Sequence, residues 1–229
     1  MEVLHNGFTL SICDSGFPLS TDSVALSGFV KLPKQAKVLD LGAGCGTLGL
    51  LLCANNDDCQ VTGIELNEAA HNCALENSRA NGITSRLTSI CADLRQVSEY
   101  IPAGSFHCCV SNPPYFSAGP KSLQTPSARR SDLCSTEDLF RSAAWALRYG
   151  GDFFLVHRPE NLGQLCYWGT KYQLEPKKLC LLRHRPDGPV TLVLLHCRKG
   201  GKPGLVWQEE CLQDADGQPS QYYKTLYHL

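Results

Sequence analysis

The hydrophobic residues of the chain fall into short apolar runs, separated by longer stretches that mostly begin at helix-capping residues such as Asn67 and Ser135. The short runs predict buried strands and the longer stretches predict helices. The seven predicted strands are the run that begins at Val38 and residues 60–65, 85–92, 105–111, 152–157, 178–183 and 190–197. The predicted helices are 22–30, 47–55, 67–81, a segment from Ser135 closed by Gly150 and Gly151, 159–171 and the tail 221–229.

This alternation predicts an α/β fold, a doubly wound and mostly parallel sheet with helices on both faces. A turn-rich link joins the last two predicted strands, which indicates a hairpin-like pair at one edge of the sheet. The 229 residues fit one domain, 1–229. Residues 1–36 precede the first predicted strand, and we expect them to form a lid-like extension over the ligand pocket.

The segment 38–46 reads Val-Leu-Asp-Leu-Gly-Ala-Gly-Cys-Gly and leads from the first strand into a helix near Thr47. Alternating glycines at such a place let a ligand lie against bare backbone at a helix N-terminus, so a nucleotide-like ligand is expected. The segment fits two patterns. Residues 44–49 match the dinucleotide-binding fingerprint, and residues 40–46 match the D-x-G-x-G-x-G form typical of S-adenosylmethionine (SAM) methyltransferases.

Two acidic residues end the next two predicted strands. Glu65 lies about 20 residues beyond the glycine loop, the spacing that places a carboxylate beside a ribose, although such a residue can also be a helix cap. Asp93 can accept from an adenine amino group or be solvated. Thr21 and Asp22 precede the first apolar helix residues and either cap that helix or contact the ligand.

Residues 112–116, Asn-Pro-Pro-Tyr-Phe, directly follow the fourth predicted strand. Each proline fixes its own φ and restricts the residue before it, so the segment is a stiff platform for one amide and two carbonyls. Two acceptors beside aromatic rings suit the exocyclic amine of adenine, and they also suit the side-chain amide of glutamine. The alternative, a purely structural turn, does not explain why this segment follows a strand in a chain with this glycine loop.

The net charge of −1 hides an asymmetry between the two halves of the chain. Residues 1–110 carry 6 basic and 11 acidic residues, whereas residues 111–229 carry 15 and 11. Eight basic residues fall within 171–202, and Arg129 and Arg130 lie in a long polar loop, 117–134. This distribution suggests a polyanionic partner, although a solvated face without a partner fits it equally well.

The thirteen cysteines are scattered and none form a C-x-x-C pair, so we predict free thiols with neither disulfides nor a metal site. No apolar run approaches the roughly 20 residues of a membrane span. The first residues lack the basic region and apolar core of a signal peptide. We therefore predict a cytoplasmic, single-domain monomer of 25.1 kDa with no membrane partner.

Together these segments resemble the class I SAM-dependent methyltransferases. Residues 40–46 are similar to the first motif of that family, Glu65 to its ribose acid, Asp93 to its adenine-side acid, and residues 112–115 to the catalytic motif of its amino-methylating members. The resemblance implies a Rossmann-like seven-stranded sheet and SAM as the cofactor. The residues it assigns to cofactor binding are Thr21, Asp40, Gly42, Gly44, Gly46, Glu65, Asp93 and Asn112.

A closer similarity is to the bacterial valine-tRNA adenine-N6 methyltransferases. It is carried by residues 21–26, by the motif 112–116 with its basic loop, and by a tyrosine-bearing tail. It implies methylation of the N6 amine of an adenine in the anticodon-loop region of tRNA. Asn112 and Pro113 then accept the amine hydrogens and Tyr115 stacks on the base. Pro114, Tyr115, Phe116, Arg129 and Arg130 form the substrate side of the site.

Other activities remain open at this point. A release-factor type protein-glutamine N5 methyltransferase shares the Asn-Pro-Pro-Tyr motif but carries a helical N-terminal domain, and only about 36 residues precede the first strand here. An rRNA guanine-N2 methyltransferase is also compatible. A nicotinamide dehydrogenase shares the glycine loop and Glu65 but has no use for Asn112. A non-catalytic RNA-binding module accounts for the basic half only.

Overall fold

The computed structural model describes residues 2–14, 16–114 and 134–229, in which helices cover both faces of a central sheet. A small hairpin, β1 (Glu2–Val3) and β2 (Thr9–Leu10), precedes that sheet. The sheet strands are β3 (Lys37–Leu41), β4 (Gln60–Glu65), β5 (Leu87–Cys91), β6 (Phe106–Ser111), β7 (Leu147–His157), β8 (Leu174–Arg183), β9 (Val190–Lys199) and β10 (Val206–Cys211). The helices are α1 (Thr21–Phe29), α2 (Thr47–Asn55), α3 (Glu68–Ala80), α4 (Val97–Tyr100), α5 (Thr136–Ala146), α6 (Leu162–Lys171) and α7 (Gln221–Tyr227).

The strand order in the described part of the chain is β10-β8-β9-β7-β6-β3-β4-β5. Strands β3 to β7 run parallel, β9 is antiparallel to its neighbours β7 and β8, and β10 is parallel to β8. The carboxyl ends of seven strands therefore meet at one edge of the sheet, together with the amino end of β9. Ligands of open α/β sheets bind outside this edge.

The predicted α/β sheet with helices on both faces is confirmed, but the predicted strand count of seven is one too low for the described residues. The additional strand is β10, which pairs with β8 from Val206 opposite Lys178 to Cys211 opposite Arg183. Consequently the β8–β9 pair does not form the edge itself. Residues 206–211 include two glutamates and an exposed Val-Trp pair, so they lack the apolar run that identified the other strands.

The helix predicted to be closed by Gly150 and Gly151 ends earlier, at Ala146, and both glycines lie inside β7. Pairing between β6 and β7 shifts here, because Phe106 lies opposite Leu147 but Cys108 lies opposite Asp152. The additional residues of β7 form a bulge, in which Gly150 adopts a φ of +75°. A left-handed conformation of this kind suits glycine inside a strand as well as at a helix end.

Each face of the sheet has its own hydrophobic core. On one face, α1 and α2 pack on alternate strand residues, including Val38, Val110 and Phe154. On the other face, α4, α5 and α6 pack on the intervening residues, including Leu39, Phe153 and Leu155. This alternation follows from the two-residue repeat of a strand, and strands buried on both sides are near-continuously apolar.

The hairpin strand β2 is attached to the fold through two asparagines, Asn77 in α3 and Asn81 at its C-terminal cap. Asn77 accepts a hydrogen bond from the Ser11 amide (2.8 Å) and donates to the Ser11 carbonyl (2.8 Å) and the Cys45 carbonyl (2.9 Å). One turn later, Asn81 makes the same exchange with the amide and carbonyl of Thr9 at 2.7 and 2.8 Å. The two asparagine side chains thus pair with alternate residues of the extended chain and hold it beside the glycine loop.

The predicted tail helix is α7, and it packs on α1. The Leu226 side chain covers Gly28 so closely that a Cβ there would lie 2.4 Å from Leu226 Cδ2. The hydroxyls of Thr21 and Tyr227 lie 3.4 Å apart. None of the helices in the described ranges combines the length and the apolar character needed to cross a bilayer.

Candidate active site

A cavity of about 810 Å³ lies at the carboxyl edge of the sheet, within the size range of small-molecule and cofactor sites. It brings together most of the predicted site residues: Asp40, Gly42, Gly44, Glu65, Asp93, Asn112, Pro113 and Pro114. The segment before the first sheet strand also contributes to the wall, through residues 16–18, Ser20, Asp22 and Ser23. The lid-like role of residues 1–36 stays a prediction, but part of that segment does lie against the cavity.

Two predicted cofactor residues lie outside the cavity wall. Thr21 points its hydroxyl to Tyr227 of α7, and Ser20, not Thr21 or Asp22, is the N-cap of α1. Gly46 caps α2 with a φ of +79°, and a Cβ there would lie 3.1 Å from Ala74 Cβ of α3. Thr21 and Gly46 therefore pack against neighbouring helices, and a contact of either residue with a cofactor stays a prediction.

Gly42 and Gly44 present bare backbone to the cavity. Their φ angles are +78° and +57°, and a Cβ built on either would meet no atom within 4 Å. The open space beside them is therefore available to a ligand, and the left-handed conformations favour glycine. The amides of Gly42 and Ala43 donate to the Ile64 carbonyl at 3.0 and 3.1 Å, which fixes the loop against the end of β4.

Glu65 joins the glycine loop to the start of α3. Its carboxylate accepts from the Gly44 amide at 2.8 Å and from the Asn67 amide at 2.7 Å. Each carboxylate oxygen retains a further lone pair, so the same group can accept from ribose hydroxyls. The predicted ribose role stays a prediction. A substitution of Glu65 would also release the glycine loop, so loss of ligand affinity would not isolate a direct contact.

Asp93 lies in the cavity wall after β5 and is held by Arg95. The Arg95 Nε donates to its two oxygens at 3.0 and 2.9 Å, and the Arg95 amide donates to Oδ1 at 2.9 Å. The hydrogen bonds from the Arg95 side chain lower the pKa of Asp93 below its ordinary value. Asp93 is therefore ionised near neutral pH and acts only as an acceptor, as an adenine-side residue requires.

Asp40 is the buried acid of the site, only 2% exposed. Among the described residues its Oδ2 has no hydrogen-bond partner. Burial, and secondarily the charge of Glu65, raise the pKa of Asp40 to about 7. A buried acceptor without a donor is costly in a folded protein. Its position in the cavity wall indicates that a ligand supplies the missing donor.

Asn112 follows β6 at a firmly held strand end, since the hydroxyl of the buried Ser111 donates to the Leu41 carbonyl at 2.8 Å. The Asn112 side-chain Nδ2 donates to Ser23 Oγ of α1 at 2.9 Å. Sequence reasoning missed Ser23, as well as Ser20 and Asn67, because serine and asparagine at a helix start are explained by capping alone. The predicted substrate residues Tyr115, Phe116, Arg129 and Arg130 lie outside the described residues.

The basic residues of 171–202 do not form one surface. Arg183 ends β8 and Arg185 follows it, so both lie at the cavity edge of the sheet, and Arg183 pairs with Glu209. Arg198, Lys199 and Lys202 lie at or beyond the carboxyl end of β9, at the opposite edge. Several of these charges are used internally: Lys171 pairs with Glu137, and Lys199 donates to carbonyls at the end of α5. The basic residues of 171–202 therefore give a polyanionic partner no continuous basic surface beside the cavity.

The thirteen cysteines are free, as predicted, and most are buried. Burial raises the pKa of the Cys180 thiol to about 11 and that of Cys45 to about 12. These thiols are protonated near neutral pH and pack as small hydrophobic groups. Within the described ranges, no three His, Cys, Asp or Glu side chains are arranged to hold a metal ion.

Comparison with known proteins identifies the family of the chain. The family model of the methyltransferase small domain matches residues 21–164. A relative from Shewanella halifaxensis, named tRNA1(Val) (adenine(37)-N6)-methyltransferase, is 34% identical over 82% of this chain and 78% of its own length. Proteins of the same name from Photobacterium profundum and Shewanella sp. (strain W3-18-1) are 29% and 32% identical, covering 90% and 100% of this chain and 88% and 97% of their own lengths.

Comparison of the fold with solved structures also finds methyltransferases. A predicted O-methyltransferase from Agrobacterium tumefaciens superposes with a TM-score of 0.75 at 20% identity, covering 91% of this chain and 96% of its own. The structure of geranyl diphosphate methyltransferase in complex with SAM superposes with a TM-score of 0.59 at 13% identity, covering 86% and 99%. The sheet is thus a Rossmann-like class I methyltransferase sheet. By its sequence match and its fold, the chain belongs to the methyltransferase small domain family.

Proposed function

We propose that this protein is a SAM-dependent methyltransferase that modifies the exocyclic N6 amine of an adenine in the anticodon-loop region of tRNA. The observation that carries the proposal is one cavity whose wall contains both the glycine loop with its acids and the Asn112-Pro113-Pro114 segment. A cofactor and an acceptor amine can therefore be held in one space, as transfer between them requires.

The residues of the cavity fit SAM. Asp40 offers a buried acceptor without a donor, Gly42 and Gly44 leave open space beside their backbone, and Glu65 and Asp93 are further acceptors. Bound there, SAM supplies an electrophilic methyl group on a sulfonium and needs no metal. Glu65 is proposed to accept from the ribose hydroxyls and Asp93 from the adenine amine of the cofactor.

Asn112 and Pro113 are proposed to act on the acceptor. The lone pair of an adenine amine is delocalised into its ring, which makes the amine a poor nucleophile. The Asn112 side-chain oxygen and the Pro113 carbonyl accept the two amine hydrogens, orient the lone pair and stabilise the charge that develops during transfer. Tyr115 is proposed to stack on the base, with Phe116, Arg129 and Arg130 as further substrate contacts.

The relatives support RNA as the acceptor, because their names specify adenine 37 of tRNA1(Val) and this chain spans 78% to 97% of three of them. An adenine in a tRNA loop is already partly unstacked, so turning it into a cavity costs little. The alternatives are a glutamine side chain in a release factor and an rRNA guanine. The cytoplasmic location and the monomeric state remain predictions.

The test is to incubate the protein with methyl-labelled SAM and, separately, bulk tRNA, a release-factor glutamine peptide or rRNA. We expect label in tRNA, recovered as N6-methyladenosine after nuclease digestion. We also expect tRNA affinity to fall by at least about 10-fold between 50 and 200 mM salt, since phosphate contacts release counterions. Label in the peptide or rRNA but not in tRNA would contradict the proposal, as would tRNA binding that does not depend on salt.

SAM affinity is expected to rise with pH below about 7. In the ligand-free protein, the raised pKa of about 7 leaves Asp40 mostly protonated at pH 6. A ligand donor at Oδ2 favours the ionised carboxylate, so binding releases a proton and weakens by up to about 10-fold for each pH unit below the pKa. Calorimetry from pH 5.5 to 8 measures this slope. Asp40→Asn should remove it, and an unchanged slope in that variant would show that another group is responsible.

A further inference from the structure

Ser23 lies at the point where α1 meets the proposed catalytic amide. It is 6% exposed and forms part of the cavity wall. Its Oγ accepts a hydrogen bond of 2.9 Å from Asn112 Nδ2, across 89 residues of sequence. This contact connects the segment before the first sheet strand to the strand end that carries the acceptor site.

The orientation of an asparagine amide decides what it can do. The oxygen accepts and the nitrogen donates, so the two ends are chemically opposite although they have nearly the same shape. Only the oxygen can accept hydrogens from an amine. If the amide turned by 180°, its NH2 group would face the amine, and two donors would oppose each other.

Ser23 is arranged to receive the nitrogen end. The hydroxyl of Ser20 lies 3.4 Å from Ser23 Oγ and donates toward it, while Ser20 Oγ accepts from the Ser23 amide at 3.3 Å. A hydroxyl oxygen has two lone pairs, so Ser23 Oγ can accept a second hydrogen bond besides the one from Ser20. Asn112 Nδ2 donates that second hydrogen bond, which places the nitrogen end of the amide, and not its oxygen, against Ser23.

The helix that carries Ser23 is itself fixed. Its other buried serine, Ser27, donates to the Val24 carbonyl at 2.8 Å, and α7 packs over Gly28. Ser23 is therefore held in place independently of Asn112, and the Asn112 amide meets a preorganised hydrogen-bond partner.

We propose that Ser23 is a positioning residue that holds the Asn112 amide with its oxygen directed at the acceptor amine. The inference rests on the proposed function of Asn112 and adds that α1 sets the direction of that group. Ser23 does not touch the reacting atoms. Its loss should therefore lower the rate constant of transfer without changing the binding of either substrate.

Ser23→Ala is the first variant of the test. We expect kcat for tRNA methylation to fall about 10- to 100-fold, as for a misplaced reacting group, with KM and the SAM dissociation constant unchanged. The matched control is Ser27→Ala, which removes an equally buried hydroxyl from the same helix but leaves Asn112 alone. Its kcat should equal that of the parent. Equal losses in both variants would reduce the role of Ser23 to helix stability and overturn the proposal.

A double-mutant cycle separates positioning from general disturbance. In an Asn112→Ala background, Ser23→Ala should cause no further loss of kcat, and an additive loss would contradict the proposal. The side-chain amide resonances of Asn112 in ¹⁵N-labelled, ligand-free protein provide a second readout. They should shift in Ser23→Ala and not in Ser27→Ala. This readout also distinguishes the two hypotheses: if the parent does not methylate tRNA, the proposed function fails, whereas unshifted resonances in Ser23→Ala defeat this inference alone.

Discussion

Asn112→Ala is expected to lower the rate of methyl transfer about 10²- to 10³-fold, the usual effect of removing one preorganised polar contact to the transition state. The alanine cannot accept an amine hydrogen, and it also removes one of the two hydrogen bonds that Ser23 Oγ accepts. Because the charge on the amine develops only during transfer, the loss should appear in kcat more than in the affinity for SAM. Single-turnover kinetics with labelled SAM, combined with calorimetry for SAM binding, measure the two effects separately.

Asn161→Ala is the matched control for this variant. Asn161 is another amide at the carboxyl edge of the sheet, after β7, where its Nδ2 lies 3.2 Å from His157 Nδ1, and it is not part of the cavity wall. It should retain parental turnover. A normal rate for Asn112→Ala would show that the amide does not act on the acceptor, and a large loss of SAM affinity would place Asn112 on the cofactor instead.

Asn77→Ala is expected to lower the free energy of unfolding by about 2–4 kcal/mol, because it leaves several buried polar groups without partners. Asn77 is 2% exposed and bonds the amide and carbonyl of Ser11 and the carbonyl of Cys45. Since Cys45 belongs to the glycine loop, the affinity for SAM should fall as well. Urea unfolding monitored by fluorescence measures the stability change.

The comparison for Asn77→Ala is Asn56→Ala. Asn56, which directly follows α2, also donates a side-chain hydrogen bond to a backbone carbonyl, that of Leu52 at 3.0 Å, but it is part-buried and its partner is only four residues away. Its replacement should cost about 1 kcal/mol or less. If both variants lost the same stability, the attachment of β2 to α3 would contribute nothing beyond an ordinary side-chain hydrogen bond.

Much of the cavity could be predicted from sequence because its residues follow strand ends. Asp40, Glu65, Asp93 and Asn112 each lie at or just after an apolar run, and parallel strands bring such positions to one edge. The conformation of the glycine loop could also be predicted from the local sequence, since glycine itself permits left-handed backbone and leaves open space beside it. For these residues, the position along the chain is enough to predict the position in the fold.

The rest depends on contacts that no local pattern encodes. Ser23 reads as an ordinary residue of a helix start, and only the fold places it against Asn112, 89 positions away. Asn77 and Asn81 read as polar residues of a helix surface, although they pair with an extended segment. Strand β10 was missed because pairing at a sheet edge satisfies its backbone without requiring an apolar side-chain pattern.

The packing of α7 on α1 sets an order of events during synthesis. Helix α1 leaves the ribosome about two hundred residues before α7, an interval of about 10–40 s at ordinary translation rates. Until then, the surface around Gly28 that Leu226 later covers is open to other chains and to chaperones. The helix that contributes Ser20, Asp22 and Ser23 to the cavity wall is thus packed against residues that are made about two hundred positions later. We expect a nascent chain that has not yet released α7 to hold that wall less firmly than the finished protein does.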